Sequence, residues 1–101
     1  MKVLLTDEAL NSLASIIEFN LDKLSESKLI TMKNQLLNRA QSLALNPQIG
    51  QQEESLVELK KGHRRLVEGQ HKIIDRVDSK LQIVYITDFF DTRQDPFKMK
   101  G

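Results

Sequence analysis

The second half of the chain carries basic side chains at spacings that could bind an anion. Five of them stand in or beside strand-like runs: His63, Arg65, Lys72, Arg76 and Arg93. Ammonium and guanidinium groups form charge-assisted hydrogen bonds with phosphates and carboxylates. The predicted chemistry is therefore the binding of an anionic ligand or surface. Only His63 in this set titrates near pH 7.

Other kinds of site find little support in the sequence. Cysteine is absent, and the chain has only two histidines, which we expect on opposite faces of a sheet. There is no glycine-rich phosphate loop, nucleophile elbow or H-E-x-x-H motif. The sequence therefore predicts neither a metal nor an organic cofactor.

The shared face of the cations depends on two predicted turns. Gly69-Gln70 suits a two-residue type II′ hairpin, which places Glu68 opposite His71 and Arg64 opposite Asp75. A second turn is predicted at Ser79-Lys80. The apolar side chains that then share one face are Leu66, Ile73, Val84 and Ile86. The other face carries His63, Arg65, Lys72 and Arg76, with Ile83 and Tyr85. Long cationic side chains laid over exposed apolar surface are the alternative explanation for that face.

The elements that position these residues can be predicted from periodicity. KVLL is predicted to be a short edge strand. Thr6 is predicted to cap a helix over residues 7–22. A longer helix is predicted to start within SESK and to end before NPQIG. QQEE is predicted to be a loop, and SLVEL to be the first of four β-runs.

The predicted fold is a single α+β domain over residues 1–101. A short N-terminal strand and a two-helix antiparallel hairpin pack on one face of a C-terminal antiparallel β-sheet.

Composition favours a small cytoplasmic protein. The 101 residues are 40% hydrophobic, with no run long enough to span a bilayer and no signal-peptide pattern. Charge is uneven: residues 1–58 hold five Lys/Arg against eight Asp/Glu, while residues 59–101 hold ten against six. This asymmetry suggests an anionic partner for the C-terminal half, although a solvated mix of surface charges explains so small an excess equally well.

The order of elements and the motifs RRLVEGQHKIIDRV and FFDTRQDP together resemble the RelE/ParE family of bacterial toxins from type II toxin–antitoxin modules. The positions that keep the family's hairpin pattern are Arg64, Leu66, Val67, Gly69, Ile73 and Val77. His71 and Asp75 depart from it, since they stand where family members usually carry tyrosines. The resemblance implies the RelE/ParE fold and a cognate antitoxin as partner in a hetero-oligomer.

The resemblance leaves three mechanisms open. A ParE-like, plasmid-stabilisation-type toxin inhibits DNA gyrase, whereas a RelE-like toxin is an endoribonuclease that cuts messenger RNA on the ribosome. The positions matching the ribonuclease's functional basic residues are His63, Arg65, Lys72 and Arg93. Its late tyrosine falls near Met99, which cannot transfer a proton. We therefore favour the gyrase inhibitor; a degenerate member that only binds its partner is the third possibility.

Two geometric expectations complete the prediction. The antitoxin is expected to dock across the helical hairpin and the free edge of KVLL, because an edge strand leaves backbone groups for another chain to pair with. Arg65, Lys72 and Arg93 are expected to converge on one anionic surface, with Arg76 beside them.

Overall fold

The computed structural model describes residues 1–101, which form two helices and one five-stranded sheet. The helices are α1 (Asp7–Asn20) and α2 (Glu26–Gln41). The strands are β1 (Lys2–Leu5), β2 (Gln51–Gln52), β3 (Arg64–Glu68), β4 (His71–Asp78) and β5 (Ile83–Asp91). Short 3₁₀ helices cover Ser42–Ala44, Glu54–Leu59 and Pro96–Lys98. No helix is long and apolar enough to cross a membrane.

Both helices begin at the caps that the sequence predicts. The Thr6 hydroxyl accepts a hydrogen bond from the Ala9 amide at 3.1 Å, and the Ser25 hydroxyl accepts one from Lys28 at 3.2 Å. The predicted end of α1 at residue 22 is wrong by two residues. There the Asn20 side chain donates to the Ile16 carbonyl at 2.8 Å, and a turn follows.

The sheet has the strand order β1-β5-β4-β3-β2. β1 is an edge strand, as predicted, and it pairs in parallel with β5. The other neighbours are antiparallel, so the α+β fold is confirmed and its sheet is mixed. The predicted register of the first hairpin is confirmed, with Glu68 opposite His71. Gly69 has a φ of +61°, as the first central position of a type II′ turn requires.

The second turn differs from the prediction. β4 and β5 are joined by residues 79–82, with Asp78 opposite Ile83, in place of a two-residue turn at Ser79-Lys80. The error shifts the register by two residues. Because side chains alternate with a period of two, Val84 and Ile86 keep the predicted face.

A β-bulge interrupts the pairing of β4 with β5. Ile74 lies opposite Asp88 and Asp75 opposite Ile86, which leaves Thr87 as the extra residue. A regular strand would turn Ile86 and Phe89 to opposite faces. The bulge puts both in the same core.

The main core lies between the helices and one face of the sheet. Its buried residues are Ala9, Leu13, Ile16, Leu36, Ala40, Leu43, Leu66, Ile73, Val84, Ile86 and Phe89. They come from both helices, the 3₁₀ helix that follows α2, and three strands, so burial holds the helical hairpin over the face that the sequence predicts.

A second layer, formed by residues 53–59 and 96–101, covers part of the other face. Leu56 and Met99 from this layer pack with Ile74 and Phe90 of the sheet. The predicted strand SLVEL is therefore wrong. The carboxylate of Glu53 accepts a hydrogen bond from the Ser55 amide at 3.1 Å and starts the 3₁₀ helix, which ends at Lys60 in a left-handed conformation.

The predicted loop QQEE is also partly wrong. Gln51 and Gln52 form β2 and pair with Arg65 and Arg64 of β3.

Candidate functional site

Four of the five predicted cations lie on the sheet face opposite the helices. Arg65 pairs with Ile74 across the hairpin, and Ile74 belongs to the small cluster under the second layer. The alternation of side chains puts Lys72 and Arg76 on that same face. The sequence prediction of two distinct hairpin faces is thus confirmed by the register.

Two of these cations are held by acidic residues. Lys72 Nζ lies 2.9 Å from Glu53 Oε1, and Arg65 Nη1 lies 3.7 Å from the same oxygen and 2.8 Å from Glu54 Oε2. Arg65 also donates to the carbonyl of Gln52 and, at 3.3 Å, to the side chain of Gln51. The side chains of Arg65 and Lys72 retain 18% and 24% of their exposure. The positive charges of Arg65 and Lys72 are therefore largely paired with acceptor groups of the same chain.

Glu53 is the centre of this network and was missed by the sequence analysis. It is only 1% exposed. Burial opposes its ionisation, but hydrogen bonds from Lys72 and Ser55 outweigh that effect and lower its pKa. The sequence does carry a signal for this role. In EESLVEL, Glu53 stands two residues before Ser55, a position from which a carboxylate can cap the start of a helix.

Arg76 and His63, on the same face, form no ion pair with an acidic residue. The Arg76 guanidinium carbon lies 4.5 Å from the centre of the Tyr85 ring, and its buried Nε has no hydrogen-bond partner. His63 is 2% exposed and its Nε2 lies 3.1 Å from the carbonyl oxygen of Gly101. Burial lowers the pKa of His63, and nearby Arg76 and Lys61 lower it further. These effects favour the neutral form of the imidazole.

Arg93 lies apart from the other four cations. Its Nε and Nη2 donate to Asp91 at 3.0 and 2.7 Å, and its guanidinium carbon is 5.8 Å from the centre of the Phe19 ring on α1. These hydrogen bonds lower the pKa of Asp91. The expected convergence of Arg93 with Arg65 and Lys72 is wrong, because those two contact Glu53 on the opposite side of the sheet.

Two pairs of residues that lie opposite each other across the hairpin, Arg64 with Asp75 and Glu68 with His71, form no side-chain hydrogen bond. Arg64 donates to the carbonyls of Gln48 and Gly50, at 3.3 and 3.1 Å, and not to Asp75. His71 makes no hydrogen bond to Glu68; its Nε2 is buried without a partner. Desolvation lowers the pKa of His71.

The arrangement suits binding better than proton transfer. Of the predicted cations only His63 can exchange a proton near neutrality, and it is buried beneath Gly101. Met99, near which the resemblance puts the late tyrosine of the ribonucleases, is 7% exposed and packs in the small cluster. No three His, Asp or Glu side chains come together as a metal site.

Comparison with known proteins identifies a matching family and a similar solved structure. The family described as ParE toxin of type II toxin–antitoxin system, parDE, matches residues 3–96. A chain in the solved structure of the chromosomal ParDE TA system from P. aeruginosa superposes with a TM-score of 0.74 at 17% identity, over 90% of this chain and 95% of that one. No curated protein matches.

Proposed function

Because the chain belongs to the ParE family of toxins of type II toxin–antitoxin systems, we propose that it arrests growth by binding DNA gyrase. In this proposal it acts in the cytoplasm as a single toxin domain, residues 1–101, and a cognate antitoxin neutralises it in a hetero-oligomer. The observation that carries the proposal is the family match over residues 3–96.

The proposed target surface centres on Arg76. This side chain is half-buried and stacked on Tyr85, and it forms no ion pair within the chain, so its guanidinium charge can attract an acidic group or a DNA phosphate. His63 lies beneath it, and the exposed Lys61 adds positive charge nearby. Arg65 and Lys72 form the rim of this surface. Both are bound by Glu53, and their side chains are 18% and 24% exposed. Arg93 makes a separate contact.

The site geometry supports binding over RNA cleavage. Cleavage by a 2′-hydroxyl needs an acid and a base at the reacting atoms. In this chain the titrating group, His63, is buried with a lowered pKa, and Met99 offers no proton. A binding inhibitor needs neither group.

Exposed apolar side chains on the helices support the antitoxin as a partner. Four large ones are about half exposed there or at the end of α1: Leu10, Phe19, Leu21 and Ile30. Such side chains favour a partner that buries them. The outer edge of β1 is also without a neighbouring strand.

Gyrase assays test the proposal directly. Purified protein should inhibit supercoiling or trap cleaved DNA, and it should leave ribosome-bound messenger RNA intact. Co-expression with the small protein encoded beside its gene should restore growth. Messenger cleavage with untouched gyrase would establish the RelE-like alternative. Normal growth despite abundant folded protein would establish the degenerate, partner-binding one.

Single substitutions test the surface. Arg76→Ala and Arg93→Ala should each weaken gyrase inhibition roughly tenfold or more, because a hydrogen bond to a charged group contributes about 1.5–3 kcal/mol. Arg64→Ala is the control: it removes hydrogen bonds to Gln48 and Gly50 and should lower stability more than inhibition. Equal inhibition by all three variants would refute the assigned surface.

A further inference from the structure

Two aromatic side chains are exposed to solvent, on segments that flank one cleft. The chain has four phenylalanines and one tyrosine, and three of these rings are buried or half-buried: Tyr85, Phe89 and Phe90. Phe19 at the end of α1 is 55% exposed, and Phe97 in the 3₁₀ helix Pro96–Lys98 is 96% exposed. Phe19 and Lys98 both line the cleft. Large apolar side chains left in water on neighbouring segments favour a partner that covers them.

The cleft has a volume of about 690 Å³ and a basic rim. Its polar lining includes Ser12, Ser15, Arg93, Lys98 and Lys100. Lys98 and Lys100 form no ion pair. Arg93 is 56% exposed and donates to Asp91 through Nε and Nη2, so its Nη1 makes no hydrogen bond. Asp88, the other acid of the cleft, is only 2% exposed. The accessible charge is therefore positive and suits phosphate groups.

Cations also lie against the aromatic rings. Lys23 Nζ is 3.6 Å from the centre of the Phe19 ring, and the Arg93 guanidinium carbon is 5.8 Å from it. On the other segment, Phe97 directly precedes Lys98. Exposed rings interleaved with cations are typical of surfaces that bind a nucleic-acid strand, because the rings stack on bases and the cations neutralise phosphates. Protein–protein interfaces differ, since lysine is depleted from them.

The segment that carries Phe97 is ordered by its own hydrogen bonds. The amide and the hydroxyl of Thr92 both donate to the Gln70 carbonyl at 2.9 Å. The Asp95 carboxylate accepts a hydrogen bond from the Phe97 amide at 3.0 Å, and the Asp95 carbonyl accepts one from the Lys98 amide at 2.9 Å. A backbone that is ordered before binding loses little conformational entropy when a partner arrives. The exposed ring of Phe97 is therefore presented by a preformed segment.

We propose that this cleft and its two exposed rings bind single-stranded DNA. Bases stack on Phe19 and Phe97, and phosphates contact the three cations of the rim. A single strand is favoured over a duplex because its bases are accessible, whereas a ring that enters a duplex must first separate a base step. The inference rests on the proposed function for the source of the strand, which is DNA held by gyrase. Phe19 is also proposed to meet the antitoxin, so a bound antitoxin would cover part of this surface.

A short fluorescein-labelled oligothymidylate tests the site with the purified full chain and no gyrase. Fluorescence anisotropy should show binding that weakens as salt rises, and a duplex of equal length should bind more weakly. Phe97→Ala should weaken binding of the single strand roughly tenfold, through the loss of one stacked base. Because Phe97 is 96% exposed, this change should leave the fold intact.

The charges are tested by the salt dependence of the double variant Lys98→Gln/Lys100→Gln. Each neutralised phosphate of a single strand contributes about 0.7 to the slope of log affinity against log salt, so this variant should reduce the slope by about 1.4. Its matched control is Lys28→Gln/Lys33→Gln, at exposed positions of α2. The control for the ring is Leu45→Ala, at another apolar side chain that is 88% exposed. Both controls should bind the strand as the unaltered chain does.

The proposal is overturned if the single strand does not bind, if the duplex binds more tightly, or if the controls weaken binding as much as the site variants. Strand binding is measured without gyrase, so the two proposals fail separately. A chain that inhibits gyrase but does not bind the strand refutes this inference alone. A chain that binds the strand but leaves gyrase active refutes the proposed target and keeps the strand site.

Discussion

At the scale of single residues, buried acids decide what the predicted cations can do. Glu53 is 1% exposed and holds Lys72 at 2.9 Å, while its neighbour Glu54 holds Arg65 at 2.8 Å with a side chain that is 76% exposed. Two residues adjacent in sequence thus make similar contacts in very different surroundings. Their contributions to stability should differ accordingly.

Replacing Glu53 with Ala should lower the free energy of unfolding by about 2–3 kcal/mol. The change removes the partner of a largely buried Lys72 and the cap of the 3₁₀ helix. Glu54→Ala should cost less than about 1 kcal/mol, since an exposed ion pair contributes little. Urea denaturation of both variants measures the difference. Equal losses would show that the network around Glu53 does not stabilise the fold.

Asp75 should make stability depend on pH. It is fully buried on the helix side of the sheet with neither carboxylate oxygen hydrogen-bonded, and burial raises its pKa to about 7. The unfolded chain has a value near 3.9. The folded state therefore holds a proton that the unfolded state releases, and stability falls as pH rises from about 4 to 7, remaining low above that.

Asp75→Asn removes this titration. The variant should be more stable than the unaltered protein at pH 8, by up to about 4 kcal/mol, and the gain should vanish near pH 4. Unfolding free energies measured across this range check both ends. A gain of the same size at pH 4 and pH 8 would mean that the carboxyl group does not titrate between them.

At the scale of elements, the sequence was most informative where one turn residue fixed a register. The turn at Gly69 gave the correct register of β3 against β4. The turn before β5 was predicted wrongly, but the register error was two residues, so each side chain of β5 before the bulge stayed on its predicted face. Arg76 was therefore assigned to the correct face. The bulge at Thr87 left no signal of this kind.

The second layer could not be predicted because its structure depends on distant contacts. In SLVEL, Leu56 is buried against Phe90 and Met99, while Val57 and Leu59 are about half exposed. Five residues with three apolar members fit a strand and a 3₁₀ turn equally well. The capping carboxylate of Glu53 and the position of Met99 decide between them. The network around Glu53 was missed for the same reason.

The end of the 3₁₀ helix gives a prediction at this scale. Lys60 ends Glu54–Leu59 with a φ of +56°, and Gln82 has the same φ in the loop before β5. Side chains disfavour this conformation, which glycine adopts freely. Lys60→Gly and Gln82→Gly should each stabilise the protein, by about 0.5–1 kcal/mol. The melting temperatures of the two variants measure this effect. If both variants melt below the unaltered chain, the prediction is wrong.

At the scale of the whole molecule, the two faces of the sheet have different partners within the chain. The helical hairpin packs on one face and forms the main core there, while the second layer covers part of the other face. The cations on that partly covered face, together with Arg93, are the ones proposed to contact gyrase. The antitoxin is proposed to dock on the helices and the outer edge of β1.

Antitoxin binding should stabilise the toxin in proportion to its affinity, by about 4 kcal/mol at a free concentration a thousandfold above Kd. Amide exchange should slow across residues 1–50, where the exposed helix side chains and the open outer edge of β1 lie. Hydrogen exchange with and without the partner measures this. Protection confined to residues 60–80 would place the partner on the cationic face instead.

The parallel pairing of β1 with β5 sets the order in which the molecule can be assembled. Lys2 lies opposite Ile83, so nearly the whole chain must be synthesised before the first strand has its neighbour. Such distant contacts form late and slowly during folding. A polypeptide released early from the ribosome lacks β5, and with it Val84, Ile86 and Phe89 of the main core. Interrupted translation should therefore yield fragments too unstable to harm the cell that makes them.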